Sequence, residues 1–383
     1  MPPQQGAPPA RAATWADRWH AWRDATLAAP GFQRWAAAFP LTRRTARRRA
    51  QALFDLVAGF VYSQVLYACV RLHLFETLAQ GPQTAAALAQ HLGLTEDAAR
   101  RLLCAAVALK LVEPRSGDRY GLGALGAPMV GNTAITAMVE HHAALYADLR
   151  DPVALLKGDT ASAGALAGYW PYAGAVAPGD LNAANVATYS ALMSASQPLV
   201  ADQILDAYPL ARHQTLLDVG GGEGTFLCRA AERAPALKVL LFDLPAVAQR
   251  ARQRFAENGL SDRSTAVGGD FLIDDLPRGA DIASLVRVVH DHDDARAMHL
   301  LRAVHKALPG HGKLLLAEPM AETPGAQAMG DAYFGFYLLA MGRGRPRSAA
   351  ELTVMLLAAG FKTVRVIPTH MPLQTGLLIA TVS

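Results

Sequence analysis

The first regular pattern along the chain is aromatic. Trp15, Trp19, Trp22, Leu27, Phe32, Trp35 and Phe39 recur near helical spacing, which predicts a short helical arm over 14–40 that packs on something larger. Residues 1–13, rich in Pro, Ala and Gln, predict no regular structure. Residues 52–78, ALFDLVAGFVYSQVLYACVRLHLFETL, are apolar on most faces and predict one long helix. Only 15 residues separate Asp55 from Arg71, fewer than the roughly 20 a bilayer span needs, so a core or dimer-interface helix is expected.

Over 82–123 the pattern is that of a winged helix. Thr84 can cap a helix ending near His91, Gly93 makes the turn, and Thr95 can cap a second helix over 96–110. Two short strands then flank Ser116-Gly117-Asp118. Residues 124–200 are rich in Ala and Gly with helical stretches, MVEHHAALYADL and NVATYSALMSASQPLVADQIL among them. From Thr215 the period changes. TLLDV, KVLLFD, STAVGGD, DIASLVRVV and KLLLAEP alternate with helical segments, which predicts an α/β fold with a mostly parallel, doubly wound sheet. KTVRVIP and LLIATV, with a short turn between them, predict a closing antiparallel hairpin. The divisions expected are a basic arm over 1–44, a winged-helix-like dimerisation domain over 45–130, a helical linker and pocket segment over 131–200, and a ligand-binding sheet domain over 201–383.

At 383 residues the chain has room for two to three domains. Its 52% hydrophobic and 18% charged residues exclude a disordered chain. The net charge of +4 hides an asymmetry: residues 1–50 carry nine arginines against Asp17 and Asp24, which leaves the remainder slightly acidic. The run Arg43-Arg44-Thr45-Ala46-Arg47-Arg48-Arg49 suits a solvated helix start, or attraction to anionic lipid headgroups. The body is not basic enough for a nucleic-acid binder, and the second winged-helix helix opens with Glu96 and Asp97 where a reading helix meets phosphates. An interaction or dimerisation module is the better reading. Cys69, Cys104 and Cys228 are far apart in apolar runs and read as buried small hydrophobes, and no secretory h-region opens the chain, so a reducing, cytoplasmic setting is expected.

The chemistry sits at the predicted strand ends. Leu217-Asp218-Val219-Gly220-Gly221-Gly222-Glu223-Gly224 closes one strand and opens a helix, where glycines let the backbone approach a ligand. The third glycine of a dinucleotide fingerprint would fall on Thr225. The acid before the glycines suits an ammonium and would repel a pyrophosphate, which points to S-adenosylmethionine (SAM). Asp243, in Phe242-Asp243-Leu244-Pro245, can bind ribose hydroxyls, and Asp270-Phe271 can bond and stack on adenine. His290, in Val289-His290-Asp291-His292-Asp293-Asp294, falls at the carboxyl end of the fourth strand, with Asp291, Asp293 and Asp294 suited to capping the next helix. His290, His292 and Asp294 sit too close on one turn to converge on an ion, so no metal is expected.

The order DVGGGEG, FDLP, GGDF, VVHDHDD, LLLAEP closely resembles the SAM-dependent O-methyltransferases related to the caffeate and acetylserotonin enzymes, over roughly 50–383. That resemblance implies a class I methyltransferase domain and a winged-helix dimerisation domain, hence a homodimer. It places the general base on His290 and its orienting acid on Glu318, and it places SAM contacts on Asp218, Gly220, Gly221, Gly222, Asp243, Leu244, Asp270, Phe271 and Arg287. Two positions depart from the phenol-methylating members: Pro346 stands where they carry a second Glu, and Met341 where some carry Asn. The arm, the first helix and MGRGRPRSAAEL resemble the carotenoid branch, the demethylspheroidene and hydroxyneurosporene O-methyltransferases. That branch implies a polyene acceptor with a tertiary C-1 hydroxyl, dissolved in a membrane, and an apolar pocket for which Met138, Met193, Met329, Phe334, Tyr337 and Met341 are suited. A tetrapyrrole or polyketide methyltransferase, a winged-helix regulator with a vestigial SAM domain, and a structural dimer partner are the alternatives at this point.

Overall fold

The computed structural model describes residues 14–158, 164–166 and 197–383. The chain forms two units: the described residues up to Leu72 with Pro82–Gly123, and His73–Gly81 with Ala124–Ser383.

In the first unit the aromatic arm is two helices rather than one, α1 (Trp15–Ala28) and α2 (Pro30–Ala38). Pro30 at the first position of α2 causes the break, because its ring forbids a continuing helical hydrogen bond. The Arg43–Arg49 run opens α3 (Arg43–Arg71). The long helix expected over 52–78 ends early: His73 takes a left-handed conformation (φ 52°), and a separate short helix α4 (Leu74–Ala79) follows in the second unit. Nor is α3 buried. Leu56 is 81% and Phe60 69% exposed, with Leu53, Phe54, Val57 and Val61 exposed beside them. Among the described residues, α3 is the helix long and apolar enough, by length and composition, to cross a membrane.

The winged-helix pattern is present. Thr84 and Thr95 cap α5 (Ala85–Leu92) and α6 (Glu96–Ala108) by accepting from Ala87 and Ala98 N–H. Such a cap is worth about 1 kcal/mol. The strands β1 (Gln83–Thr84), β2 (Val112–Arg115) and β3 (Arg119–Leu122) form an antiparallel sheet in the order β1-β3-β2. Cys69 is buried as expected, its thiol pKa pushed up to about 12 by burial, but Cys104 is exposed, a correction to the reading of all three cysteines as buried.

The second unit holds α7 (Thr133–Asp148), α8 (Pro152–Lys157), a helix α9 over 197–207, and a seven-stranded sheet. Its strands are β4 (Thr215–Val219), β5 (Lys238–Asp243), β6 (Ser264–Gly268), β7 (Ile282–Val286), β8 (Lys313–Glu318), β9 (Thr363–Ile367) and β10 (Gly376–Thr381). The order is β6-β5-β4-β7-β8-β10-β9, parallel from β6 to β8, with β10 antiparallel to both β8 and β9. The connection before β10 runs over 368–375, longer than the turn expected from sequence. Alternate residues of the central strands bury on opposite faces, as a sheet covered on both sides requires. Leu216, Leu241 and Leu315 pack with α9, α10 (Thr225–Arg233) and α11 (Pro245–Glu257). Leu217, Leu285 and Leu316 pack with α12 (Asp294–Ala307) and α14 (Ala349–Ala358). Between them a widened π-helical turn, Ala328–Tyr333, leads into α13 (Phe334–Met341).

Candidate active site

The carboxyl ends of β4, β5 and β6 form the first half of the site. After Val219 the chain turns through Gly220 and Gly222, both left-handed, before α10 begins. Gly220 N–H donates to Phe242 O (2.8 Å) and Gly222 N–H to Asp243 Oδ2 (2.8 Å), while Asp243 Oδ1 accepts from Leu244 N–H (2.7 Å). Asp243 thus ties the second strand end to the glycine turn. Burial raises its pKa to about 6 against those two backbone donors. A side chain added at Gly222 would meet nothing within 4 Å, so the turn presents bare backbone to open space. Asp270 Oδ1 accepts from Leu272 N–H (2.9 Å), and the Phe271 ring meets His292 edge-on at 5.3 Å.

Asp218 requires a correction. It is 0% exposed, lies beneath Gly221, and so cannot itself meet an ammonium in this structure. Its Oδ1 accepts from Ser284 Oγ (2.6 Å), its Oδ2 has no hydrogen-bond partner, and burial raises its pKa to about 7. A Cβ at Gly221 would collide with Oδ2, so the acid explains why that residue is glycine. Glu223, which sequence reasoning passed over, is buried between Arg250 and Arg254 of α11 (2.7 Å each) and braces the same turn.

The second half lies past β7 and β8. His290 and Asp291 are buried on one turn of 3-10 helix, Val289–Asp291. Glu318, the last residue of β8, accepts from Val288 and Val289 N–H through Oε1 (3.0 and 2.7 Å) and meets His290 Nδ1 through Oε2. A carboxylate only accepts, so Nδ1 carries the hydrogen and Nε2 holds the lone pair of the neutral ring. Asp291 is not a helix cap. Asp293 caps α12, accepting from Arg296 N–H (2.9 Å), whereas Asp291 Oδ1 lies 3.0 Å from His290 Nε2. Burial alone lowers the imidazole pKa, but Asp291 and Glu318 outweigh it and hold it above the ordinary value. Burial pushes Asp291 up to about 7 despite the opposing imidazole. Its neighbour His292 is lowered to about 4, by burial first.

The Phe334 ring stands edge-on to His290 at 5.9 Å and also lines a mostly apolar cavity of about 320 Å³. Of the residues proposed for the pocket, Met138, Met329 and Phe334 line it. Tyr337 and Met341 do not: they are buried in the adjoining cluster with Leu145 and Leu166, and Tyr337 hydroxyl pairs with His141 Nε2 (2.8 Å). Met193 lies outside the described residues. Sequence reasoning missed His142 and Tyr333, which meet at 2.8 Å in the cavity wall. Burial lowers the His142 pKa and raises that of Tyr333 to about 12, so both are neutral. Arg287, expected as a cofactor contact, lines this cavity from a left-handed backbone (φ 60°). Pro346 stands between Arg345 and Arg347 and supplies no carboxylate. Among the described residues no group of three metal-ligating side chains converges.

Residues 146–362 match the model of the O-methyltransferase domain, and residues 54–135 that of the O-methyltransferase dimerisation domain. The chain belongs to the SAM-dependent O-methyltransferase family. Among curated proteins it is 44% identical over 341 residues to the demethylspheroidene O-methyltransferase of Cereibacter sphaeroides, covering 89% of each chain. The enzyme of the same name from Rhodobacter capsulatus is 43% identical, over 89% of this chain and 84% of its own. Among solved structures, human N-acetylserotonin methyltransferase in complex with SAM shares the fold at TM-score 0.72 and 24% identity, over 88% of this chain and 98% of that one. A methyltransferase of calicheamicin biosynthesis, solved with SAH, matches at TM-score 0.72 and 26% identity, over 88% and 98%. The fold is thus a helical dimerisation domain and a class I methyltransferase domain, and the dimerisation domain supports a homodimer. The co-substrate is SAM, and the glycine turn fits it: bare backbone over open space, braced by Asp243 and Glu223.

Proposed function

We propose that this methyltransferase O-methylates the tertiary C-1 hydroxyl of an acyclic carotenoid, with His290 as general base. The relatives at 43–44% identity, both demethylspheroidene O-methyltransferases, support the acceptor class. The observation that carries the mechanism is a buried His290, its Nδ1 held by Glu318, beside an aromatic wall that continues into an apolar cavity. Such a cavity suits one end of a polyene and offers few of the polar groups a phenol-rich acceptor would use.

Gly220, Gly222, Asp243 and the Asp270-Phe271 corner would hold SAM, which when bound would supply an electrophilic methyl group. A tertiary alcohol is far too weak an acid to be ionised in advance by a group of imidazole basicity. His290 Nε2 would therefore take the hydroxyl proton as the new O–C bond forms and the methyl–sulfur bond breaks, so that the former sulfonium leaves as the neutral thioether S-adenosylhomocysteine and the ether is released neutral. Glu318 keeps the ring in the one tautomer that can accept there and stabilises the imidazolium that results. Phe334, Met138 and Met329 exclude water from the acceptor hydroxyl and align it, and alignment supplies much of the rate in such a displacement.

His290→Ala should leave SAM affinity nearly intact and reduce turnover by about 10²–10⁴-fold. Near-normal turnover would leave catalysis to positioning alone. The homodimer uses the exposed apolar face of α3, and the arginine-rich arm docks on anionic inner-membrane lipid, where such an acceptor is dissolved. The protein is then a peripheral one on the cytoplasmic face.

A further inference from the structure

Arg347 is 2% exposed, the largest fully buried side chain among the described residues. Burying a guanidinium is costly unless its nitrogens find acceptors. Here Nη1 donates to Val289 O (2.8 Å), Nη2 to His292 O (2.8 Å) and Asp294 Oδ1 (2.7 Å), and Nε to Asp294 Oδ1 (3.0 Å). Arg345 N–H donates to His290 O (2.9 Å). Gly344, at φ +80°, approaches so closely that a Cβ would overlap His290 O and lie 2.8 Å from the Asp291 carbonyl carbon. The far end of the segment is anchored twice: Ser348 caps α14 in a box with Glu351, and Ala321 N–H donates to Arg347 O (3.1 Å).

These bonds take the carbonyl side of the 289–292 turn, as Glu318 takes its N–H side through Val288 and Val289. We infer that Gly344–Ser348, through Arg347 above all, is a positioning element for the base, gripping the turn that carries His290 opposite Glu318. The inference rests on His290 as general base. Lys could not replace Arg347, because only a planar fork reaches two carbonyls and a carboxylate together. Pro346, with its fixed φ, stiffens the link between the two arginines.

The charged or titratable groups around His290 are Glu318 from β8, Asp291 and His292 on its own turn, and Arg287 at the end of β7. If the turn relaxes, Nδ1 and Nε2 lose their registration with Glu318 and Asp291, and the imidazole becomes easier to deprotonate. The test uses the full-length enzyme with ¹⁵N-labelled histidine, as Arg347→Lys and separately Gly344→Ala. NMR reads the His290 titration without turnover, and calorimetry reads SAM binding. Each variant should bind SAM within about 3-fold of wild type, lose about 10- to 100-fold in kcat with little change in acceptor KM, and titrate His290 at lower pH. A SAM-binding variant with normal kcat and an unchanged titration overturns the inference. So does loss of SAM binding in both variants, the mark of a general core role. If His290→Ala proves harmless, the base assignment fails, while a shifted titration in Arg347→Lys still registers the grip on the turn.

Discussion

His290 stands between two carboxylates, and the two do different work. Glu318 is itself anchored by two backbone N–H groups and fixes Nδ1, whereas Asp291 Oδ1 has no hydrogen-bond partner and faces Nε2. Both hold the imidazole pKa above the ordinary histidine value, so kcat/KM should rise with pH along an acid limb lying higher than an ordinary histidine gives. Asp291→Asn removes one of the two carboxylates. It should move that limb to lower pH, readable in a pH–rate profile, and an unmoved limb would show that Asp291 has no hold on the base. The place of His290 was legible in the sequence because it follows a recognisable hydrophobic run, past which a parallel sheet exposes side chains to a ligand, whereas Glu318 was marked only by the resemblance to the O-methyltransferases. Asp291 was not: as one of three aspartates before a helix it reads as a cap, and only the 3-10 turn directs it back to the ring. Asp218 misled for a related reason, since a strand-end acid can face the ligand or lie beneath the glycine turn, and sequence does not distinguish the two.

At the scale of elements, the parallel strands and the two winged-helix helices were readable from local period and caps. The insertion of β10 between β8 and β9 was not, because pairing between distant strands leaves no local signature. The end of α3 was equally hidden: no Gly or Pro marks it, and the left-handed residue is His73. The exposed stripe on α3 is the clearest unfinished surface of the first unit. Burying an aromatic or leucine side chain contributes about 1.5–3 kcal/mol, so a face with Leu56 and Phe60 one turn apart suits a second copy. Leu56→Asp with Phe60→Asp should convert a dimer to monomer in sedimentation equilibrium. A persistent dimer would place the interface elsewhere.

For the molecule as a whole, the charge sum of +4 joins a strongly basic arm to a slightly acidic body. The arm also exposes Trp15, Trp19, Trp22 and Trp35, and Trp with Arg is the pairing favoured at a lipid–water interface. Deleting residues 1–49 should weaken sedimentation with anionic vesicles and spare SAM affinity. Equal vesicle binding without the arm would make those arginines merely solvating. The central claim concerns the acceptor and the base together, and one measurement reaches both: mass analysis of products from hydroxylated acyclic carotenoids incubated with SAM and either the wild-type enzyme or His290→Ala. The account predicts a carotenoid methyl ether heavier than its alcohol by one CH2 with the wild type and only traces with the variant. Methylation of a phenol or a chlorin but of no carotenoid, or equal product from both enzymes, would contradict it.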